Sequence, residues 1–377
     1  MKRILKMILL FVISLIVLLV LGVVIFTKTS PEFGSGASGE RLERMRSSER
    51  YANGKFLNSI PTAQGLKDWK DMPGVLYKFI KKEPNQEPDW EIPVNKIDSV
   101  NIVSTPDSVT QLTWFGHSAF LLEMDGKNIL IDPMLGDVPS PVAFMANKRF
   151  NPNLPIAIEQ LPQIDAIIYS HDHYDHLDYG SVKALKDKTK HFYVPLGVGA
   201  HLEGWGVPAS SITELEWWES TILDNISLTA APARHFSGRG LGDANSTLWA
   251  SWIIKGAKDN IYFTGDSGYF DGFKEVGEKY GPFDLALVEC GQYNDMWSDI
   301  HMMPEESAQV GLDVRAKTIM PIHWGAFKLS LHTWTDPVER ITKKAKELGI
   351  NVTTPEIGAT FTVNGESYPE GQWWVRK

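Results

Sequence analysis

Cysteine is nearly absent from this chain, which has one among 377 residues. A single cysteine cannot form an internal disulfide, so a disulfide-stapled scaffold is excluded. Cys290 lies in the apolar run 285–290, which predicts a buried, small hydrophobic side chain and not a reactive thiol. The sequence shows no fixed-period repeat and no long low-complexity segment. Its apolar content of 43% is normal for a globular chain that buries a full core.

Basic residues are also fewer than acidic residues in this chain. Lysine and arginine total 37 against 46 acidic residues, which gives a net charge of −9. Broad, sequence-independent binding of nucleic acid needs a basic surface, so we expect no nucleic-acid partner, although a local basic groove stays open.

One long apolar run occupies residues 7–26, broken only by one serine and one glycine. As a helix it is about 30 Å long, enough to cross the hydrocarbon core of a bilayer. Basic residues before it predict a cytoplasmic amino end and an exported remainder: Lys2, Arg3 and Lys6. The run is long for a signal peptide, so a single-pass anchor in the cell membrane is favoured over a leader cut near Ala37.

Composition along the chain predicts three regions. Residues 1–29 form the anchor, residues 30–106 a linker with an irregular extension, and residues 107–377 the globular domain. Residues 27–40 are rich in glycine and serine and predict a short flexible linker. Residues 41–50 carry four arginines and predict an exposed helix or coil, for which a solvated face is favoured over contact with lipid headgroups.

The globular region alternates strands with polar turns. Three antiparallel strands are predicted at its start: 109–115, 119–124 and 128–132. Strand-then-helix units follow residue 164, and strands dominate again over 227–266. This mixture predicts an α+β fold with two sheets packed face to face and helices outside.

The most informative stretch is 170–176, where three histidines and two aspartates fall within six consecutive positions. A buried strand is predicted before it, over 164–169, and an amphipathic helix after it, over 177–185. The cluster therefore lies on a turn at the carboxyl end of a strand. Neutral imidazole and carboxylate are ligands for zinc and similar divalent ions.

The spacing inside this cluster favours two ions. In an extended loop His171, His173 and Asp175 leave on one side. His176 is out of phase and must point elsewhere. A closed structural zinc site is disfavoured, because such sites usually rely on thiolates.

Further ligand candidates follow downstream, each at the end of a predicted strand: His235, Asp266 and His323. Each alone is more often a cap or a satisfied polar residue. Together, in this order after the His-x-His-x-Asp-His run, they predict a metal site.

This ordered set resembles that of the metallo-β-lactamase superfamily. The resemblance implies an αββα sandwich and two divalent ions, expected to be zinc, that share a hydroxide. The first ion would be held by His171, His173 and His235. The second would be held by Asp175, His176 and His323. Asp266 would bridge the ions, at a position where some β-lactam-hydrolysing members use cysteine, which points to the dinuclear hydrolase branch.

Within the superfamily the chain resembles the N-acylphosphatidylethanolamine phospholipase D-like subgroup. The blocks that carry this resemblance are not all required by metal binding: 114–118, 131–133, 194–197, 214–219, 281–286, 301–306 and 322–327. The resemblance implies a phosphodiesterase of phospholipase D type, acting on N-acylphosphatidylethanolamine-like or other amphiphilic phosphodiesters. Its catalytic residues would be Asp175, Asp266 and His301.

Some polar residues are candidates for substrate contact. His301 would bind phosphate or donate a proton to the leaving group. His117 would line the entrance to the same substrate site, and Arg239 would pair with a phosphate oxygen. For each, a structural hydrogen-bonding role is an equal alternative. Asp132 and Asp178 are either orienters of ligand histidines or turn and cap residues.

Other functions stay open. The same hydroxide could attack a lactone or amide carbonyl, and a similar scaffold with one iron could oxidise a persulfide. A binding or scaffold protein is the least favoured, because no ligand position is lost.

Overall fold

Two β-sheets packed face to face organise this protein, of which the computed structural model describes residues 2–65, 70, 72–81 and 84–376. Within those ranges a short hairpin precedes two sheets of seven strands each. In chain order the strands are β1 (Tyr51–Ala52), β2 (Lys55–Phe56), β3 (Gln111–Trp114), β4 (Phe120–Met124), β5 (Lys127–Ile131), β6 (Ile164–Ile168), β7 (Thr189–Pro195), β8 (Ile212–Leu215), β9 (Ser220–Leu223), β10 (Ile226–Ala231), β11 (Ser251–Lys255), β12 (Asn260–Phe263), β13 (Leu285–Glu289), β14 (Thr318–Ile322), β15 (Asn351–Val352) and β16 (Thr360–Thr362).

The α-helices of the described residues precede the sheets or pack beside them. They are α1 (Lys2–Thr29), α2 (Gly39–Ser47), α3 (Met72–Lys81), α4 (Ser99–Ser104), α5 (Tyr179–Leu185), α6 (Gly199–Gly204), α7 (Gly272–Tyr280), α8 (Pro304–Asp313) and α9 (Asp336–Leu348). In the described part of the predicted irregular extension, α3 and α4 are short helices.

The two sheets repeat one pattern of strand directions. The first has the order β16-β3-β4-β5-β6-β7-β8, antiparallel as far as β5 and parallel from β5 to β8. The second has the order β9-β10-β11-β12-β13-β14-β15, antiparallel as far as β12 and parallel from there. Since carboxyl ends of adjacent parallel strands meet at one edge of a sheet, each sheet offers such an edge for a site.

Strand β4 shows how the layers form. All five of its side chains are buried, and its apolar side chains divide between two hydrophobic clusters on opposite faces. Leu121 joins an outer cluster that includes Val182 of α5. Phe120 and Leu122 join the core that Trp252 of the second sheet also enters. Burial on both faces requires helices on one side and the other sheet on the other, so the predicted αββα sandwich is confirmed.

The amino end is a 28-residue helix, α1, that is long and apolar enough to cross a membrane and buries none of its residues. The chain does not continue from it as a flexible linker, so that prediction for residues 27–40 is wrong. Helix α1 runs to Thr29, α2 begins at Gly39, and residues between them are hydrogen-bonded to the domain. Arg41 in α2 pairs with Glu203 and Glu214, so this arginine contacts the domain.

Candidate metal centre

Loops that follow the strands bring the ligand candidates together. The stretch 170–176 begins two residues beyond the end of β6, Asp266 lies three residues beyond β12, and His323 directly follows β14, each at the parallel side of its sheet. His235 follows β10. Their ligand atoms converge into two groups, in each of which all atoms lie within 4.8 Å of one another.

The first group contains His171, His173, His235 and Asp266. His173 Nδ1 lies 2.9 Å from His171 Nε2 and 3.2 Å from His235 Nε2. Asp266 Oδ2 lies 3.8 Å from Nε2 of both His171 and His235. The set predicted for one ion is therefore assembled around a single point.

The second group contains His117, Asp175, His176 and His323. Asp175 Oδ2 lies 3.5 Å from His176 Nε2 and 3.7 Å from His323 Nε2. Asp266 also reaches this group, since its Oδ2 is 3.2 Å from His176 Nε2 and its Oδ1 is 2.9 Å from His323 Nδ1. Asp266 thus touches both groups, as the predicted bridging role requires.

The donor atoms fit a pair of small divalent ions. Four ligands at about 2.0–2.1 Å from a tetrahedral zinc are about 3.3 Å apart. The distances between neighbouring donors here range from 2.9 to 3.8 Å. His176 Nε2 is buried and has no hydrogen-bond partner among the described residues. Such an atom in a polar cluster fits a metal bond.

Burial sets the protonation of these histidines. It lowers the pKa of His171, His173 and His235, so their rings are neutral at pH 7 and free to bind a cation. Burial acts in the same direction on His176, but neighbouring carboxylates, Asp266 first, outweigh it and raise its pKa well above the ordinary value. The cluster therefore concentrates negative charge that a divalent cation would balance.

Groups behind the ligands fix their orientation. The ring of His235 places Nδ1 3.0 Å from the carbonyl oxygen of Ile300, and that of His176 places Nδ1 2.7 Å from Asp132 Oδ2. Both contacts leave Nε2 facing the centre. Asp132 is thus an orienter, whereas Asp178 caps α5 by accepting from a backbone N–H of its first turn at 2.7 Å.

A cavity of about 220 Å³ adjoins the ligands. Its lining includes His173, Asp175, Phe236, Asp266, His301 and His323. Among the described residues His117 is not part of this lining: its ring is fully buried, with Nε2 2.9 Å from Asp175 Oδ2. Burial, with His323 beside it, lowers the pKa of His117 to about 3. Of the predicted substrate residues, His301 is therefore the one placed at the cavity.

Arg239 lies apart from the described cavity lining. Its side chain is 3% exposed, and its guanidinium donates to the backbone carbonyls of Glu32, Asp172 and Leu177. A buried guanidinium needs such acceptors. The geometry favours the structural alternative for this residue over contact with a phosphate.

The sequence reading missed Glu289, which ends β13. Its carboxylate is buried, accepts from Met302 N at 3.0 Å and lies 3.3 Å from His301 Nδ1. Burial raises the pKa of Glu289 well above its usual range, against the opposing effect of His323. The feature of the sequence that could have identified Glu289 is an acidic residue at the carboxyl end of a predicted apolar strand.

Comparison with known proteins defines the class. The family described as a beta-lactamase superfamily domain matches residues 127–324, more than half of the 377 residues. The chain belongs to the metallo-β-lactamase superfamily, and it has the fold and the His/Asp donor set of a metal-dependent hydrolase.

Individual relatives narrow this class. An uncharacterised protein of Mycobacterium tuberculosis is 40% identical over 333 residues, 87% of each chain. The N-acyl-phosphatidylethanolamine-hydrolyzing phospholipase D 1 of Caenorhabditis elegans is 34% identical over 299 residues, 74% of this chain and 82% of the worm protein. The crystal structure of an isothiocyanate hydrolase from Delia radicum gut bacteria shares the fold, with a TM-score of 0.54 at 23% identity over 67% of this chain and 99% of the other. The predicted phospholipase D-like relationship is confirmed.

Proposed function

We propose that this protein is a zinc-dependent phosphodiesterase of phospholipase D type that hydrolyses N-acylphosphatidylethanolamine or a similar amphiphilic phosphodiester. The observation that carries this proposal is the pair of His/Asp groups joined by Asp266 and open to one cavity. When bound, two divalent ions would supply a nucleophile at neutral pH and would neutralise charge on the attacked phosphate.

The ligands of each ion are proposed as the sequence predicts. One would be held by His171, His173 and His235, and the other by Asp175, His176 and His323. Asp266 would serve both. Histidine nitrogen with carboxylate oxygen, without thiolate, suits zinc but also other first-row ions.

Cavity size supports entry of a head group and not of a whole lipid. Its volume of about 220 Å³ is below the range of about 300–1,000 Å³ that encloses a drug-sized ligand. The phosphodiester would reach the ligands while the acyl chains stay in the bilayer.

The reaction adds water at phosphorus and breaks the bond from phosphorus to the head-group oxygen. The products are a phosphatidate and an N-acylethanolamine, and the proton from water ends on the leaving oxygen. His301 lines the cavity and is the proposed donor of that proton, or a contact to a phosphate oxygen. Glu289 beside it would hold the ring in place.

Helix α1 supports a membrane location. We propose that it is an uncleaved single-pass anchor in the cell membrane, with the catalytic domain on the extracytoplasmic side, because basic residues precede the apolar run. Protease added to intact cells should then degrade the domain. Its complete protection, with degradation after lysis, would contradict this orientation.

Product analysis tests the reaction. The full chain in mixed micelles is given N-acylphosphatidylethanolamine in H₂¹⁸O, and both products are weighed by mass spectrometry. We expect ¹⁸O in phosphatidate and none in N-acylethanolamine, with activity abolished in Asp266→Ala. Label in a phosphorylated head group instead would show cleavage on the other side of phosphorus.

The other candidate reactions are tested by giving the same protein lactones, amides and a persulfide, with its metal content measured alongside. Lactone or amide hydrolysis without phosphodiester cleavage, abolished in Asp266→Ala, would replace the proposed substrate class. One iron per chain with persulfide oxidation would replace the hydrolytic mechanism. Activity that survives both His171→Ala and Asp266→Ala would remove the metal centre from the reaction.

A further inference from the structure

Residues 30–35, the connecting segment, join α1 to the remainder of the chain and are hydrogen-bonded to the domain through their backbone. Trp205 Nε1 donates to the carbonyl oxygen of Pro31 at 2.8 Å. Arg239 donates from Nε and Nη2 to the carbonyl oxygen of Glu32 at 2.9 and 2.7 Å. Two buried side chains of the domain therefore bind main-chain oxygens of this segment.

The end of the connecting segment is also held. Ser35 N donates to His201 Nδ1 at 3.0 Å. Phe33 packs edge-to-face on Tyr174, with ring centroids 6.5 Å apart, and in the same way on Phe26 of α1 at 5.5 Å. The segment thus connects the apolar helix directly to Tyr174, which lies inside the metal-binding loop.

Arg239 holds that loop and the connecting segment with one guanidinium. Its Nη1 donates to the carbonyl oxygens of Asp172 and Leu177 at 2.5 and 2.7 Å. The guanidinium carbon lies 4.0 Å from the ring centroid of Tyr174, whose hydroxyl donates to the carbonyl oxygen of Arg239 at 2.5 Å. The loop 171–176 is therefore fixed from behind by the same side chain that binds Glu32.

His201 forms a second connection. Its Nδ1 accepts from the connecting segment, and its Nε2 lies 3.4 Å from Asp172 Oδ2. That carboxylate also accepts from Thr247 Oγ1 at 2.9 Å. Asp172 belongs to neither ligand group, but it stands in the chain between His171 and His173. Any displacement of Asp172 would move both ligands.

We propose that the connecting segment is a positioning element of the metal centre: its docking on Arg239 and His201 holds the loop 171–176 in the geometry that binds metal. The inference needs the metal centre but not the choice of substrate. It assigns Arg239 a positioning role behind the ligands.

The physical reason is the burial of Arg239. Polar hydrogens of a buried guanidinium must have acceptors. If the connecting segment left, Nε and Nη2 would lose the Glu32 carbonyl, and the guanidinium would have to move toward other acceptors. Its bonds to Asp172 and Leu177 would weaken at the same time.

Alanine substitutions at three glycines test whether docking of the connecting segment positions the metal centre. Gly34 has a φ of +71°, and a Cβ there would lie 2.0 Å from His201 Nδ1, so Gly34→Ala should displace the segment. Gly204→Ala acts from the domain side, because its Cβ would lie 2.1 Å from Ser35 Oγ. Gly36→Ala is the matched control, since its Cβ meets no described atom within 4 Å.

The measurement is zinc affinity of the full chain in detergent micelles, by competition with a chromogenic chelator, together with hydrogen exchange of residues 171–177. We expect Gly34→Ala and Gly204→Ala to lose about 10-fold or more in zinc affinity, the range seen when groups behind metal ligands are removed. Exchange of the loop should rise in both, and Gly36→Ala should match the wild type.

Wild-type zinc affinity in both Gly34→Ala and Gly204→Ala would overturn the inference. Trp205→Phe keeps an aromatic ring at the buried position and deletes one bond to the segment, so it should show a smaller loss in the same direction. This variant covers the case in which a glycine variant does not fold. Zinc binding is measured without substrate, so failure of the lipid assay would leave the zinc result unaffected. Wild-type zinc affinity in the glycine variants would likewise leave the proposed lipid hydrolysis untouched.

Discussion

The carboxylate of Asp132 lies 2.7 Å from Nδ1 of His176, and this contact decides which ring nitrogen faces the metal centre. When the ring is neutral with its proton on Nδ1, as metal binding requires, Nε2 presents its lone pair on the side of Asp266 and Asp175. Asp132 also accepts from Ser170 N at 2.7 Å, so it fixes the start of the metal-binding loop as well.

Asp132→Asn should weaken metal binding. The amide can donate to Nδ1 of His176, which would move the ring proton to Nε2 and block that ligand. We expect a loss of about 10- to 100-fold in zinc affinity. The control is Asp165→Asn, another buried aspartate of the first sheet, which binds Lys190 and Asn128 N. Equal affinities in the two variants would contradict the orienting role.

Glu289 should position His301 through its buried carboxyl group. Glu289→Gln keeps a side-chain oxygen that can accept from Met302 N, so this variant should retain most of the wild-type kcat. Glu289→Ala removes the acceptor for Met302 N and frees the ring of His301. We expect a kcat loss of about 10- to 100-fold for this variant, as for other small misplacements. Equal damage in both variants, measured as kcat and KM on the lipid, would refute this assignment.

Bound metal should raise thermal stability, because an ion held by the two donor groups binds the folded state and not the unfolded chain. Zinc at about 100 times its Kd contributes about 2.7 kcal/mol. For a chain of this size that is a rise in Tm of about 3–5 °C. Differential scanning fluorimetry with and without zinc measures it. The rise should disappear in His171→Ala, and a rise of the same size there would place the stabilising ion elsewhere.

His332 should make stability depend on pH. Burial lowers its pKa to about 4, against about 6.5 in an unfolded chain. Above pH 6.5 the ring is neutral in both states and has no effect. As pH falls from 6.5 toward 4 the unfolded chain binds the proton first, so the free energy of unfolding drops, by up to about 3 kcal/mol in total.

His332→Phe tests this dependence, because it keeps the ring stacked on Tyr293, 4.4 Å away, and removes the titrating group. The difference in stability between wild type and variant should shift in favour of the variant between pH 7 and 5. Parallel pH curves for the two proteins would show that His332 does not contribute.

The sequence by itself determined the type of fold and the ligand candidates. Short apolar runs and turn residues are local signals, so β3, β4, β5 and β6 could be predicted with the turn at Gly126. Histidine and aspartate at strand ends are equally local, which is why all seven ligand candidates could be named before the structure placed them in two groups.

Tertiary structure decided what depends on burial and on distant partners. Glycine and serine in residues 27–40 predict flexibility. The prediction failed because composition cannot show that Trp205, Arg239 and His201 provide partners for the backbone of this segment. Arg239 lies four residues after His235 in the sequence, which made it a candidate for binding phosphate. In the structure its guanidinium is buried and donates to backbone carbonyl oxygens. Glu289 could not be identified from the sequence, because it ends an apolar strand and only tertiary packing raises its pKa and places it beside His301. The local sequence pattern thus identified the ligand candidates, and hydrogen bonds between residues distant in sequence determined how those side chains are oriented.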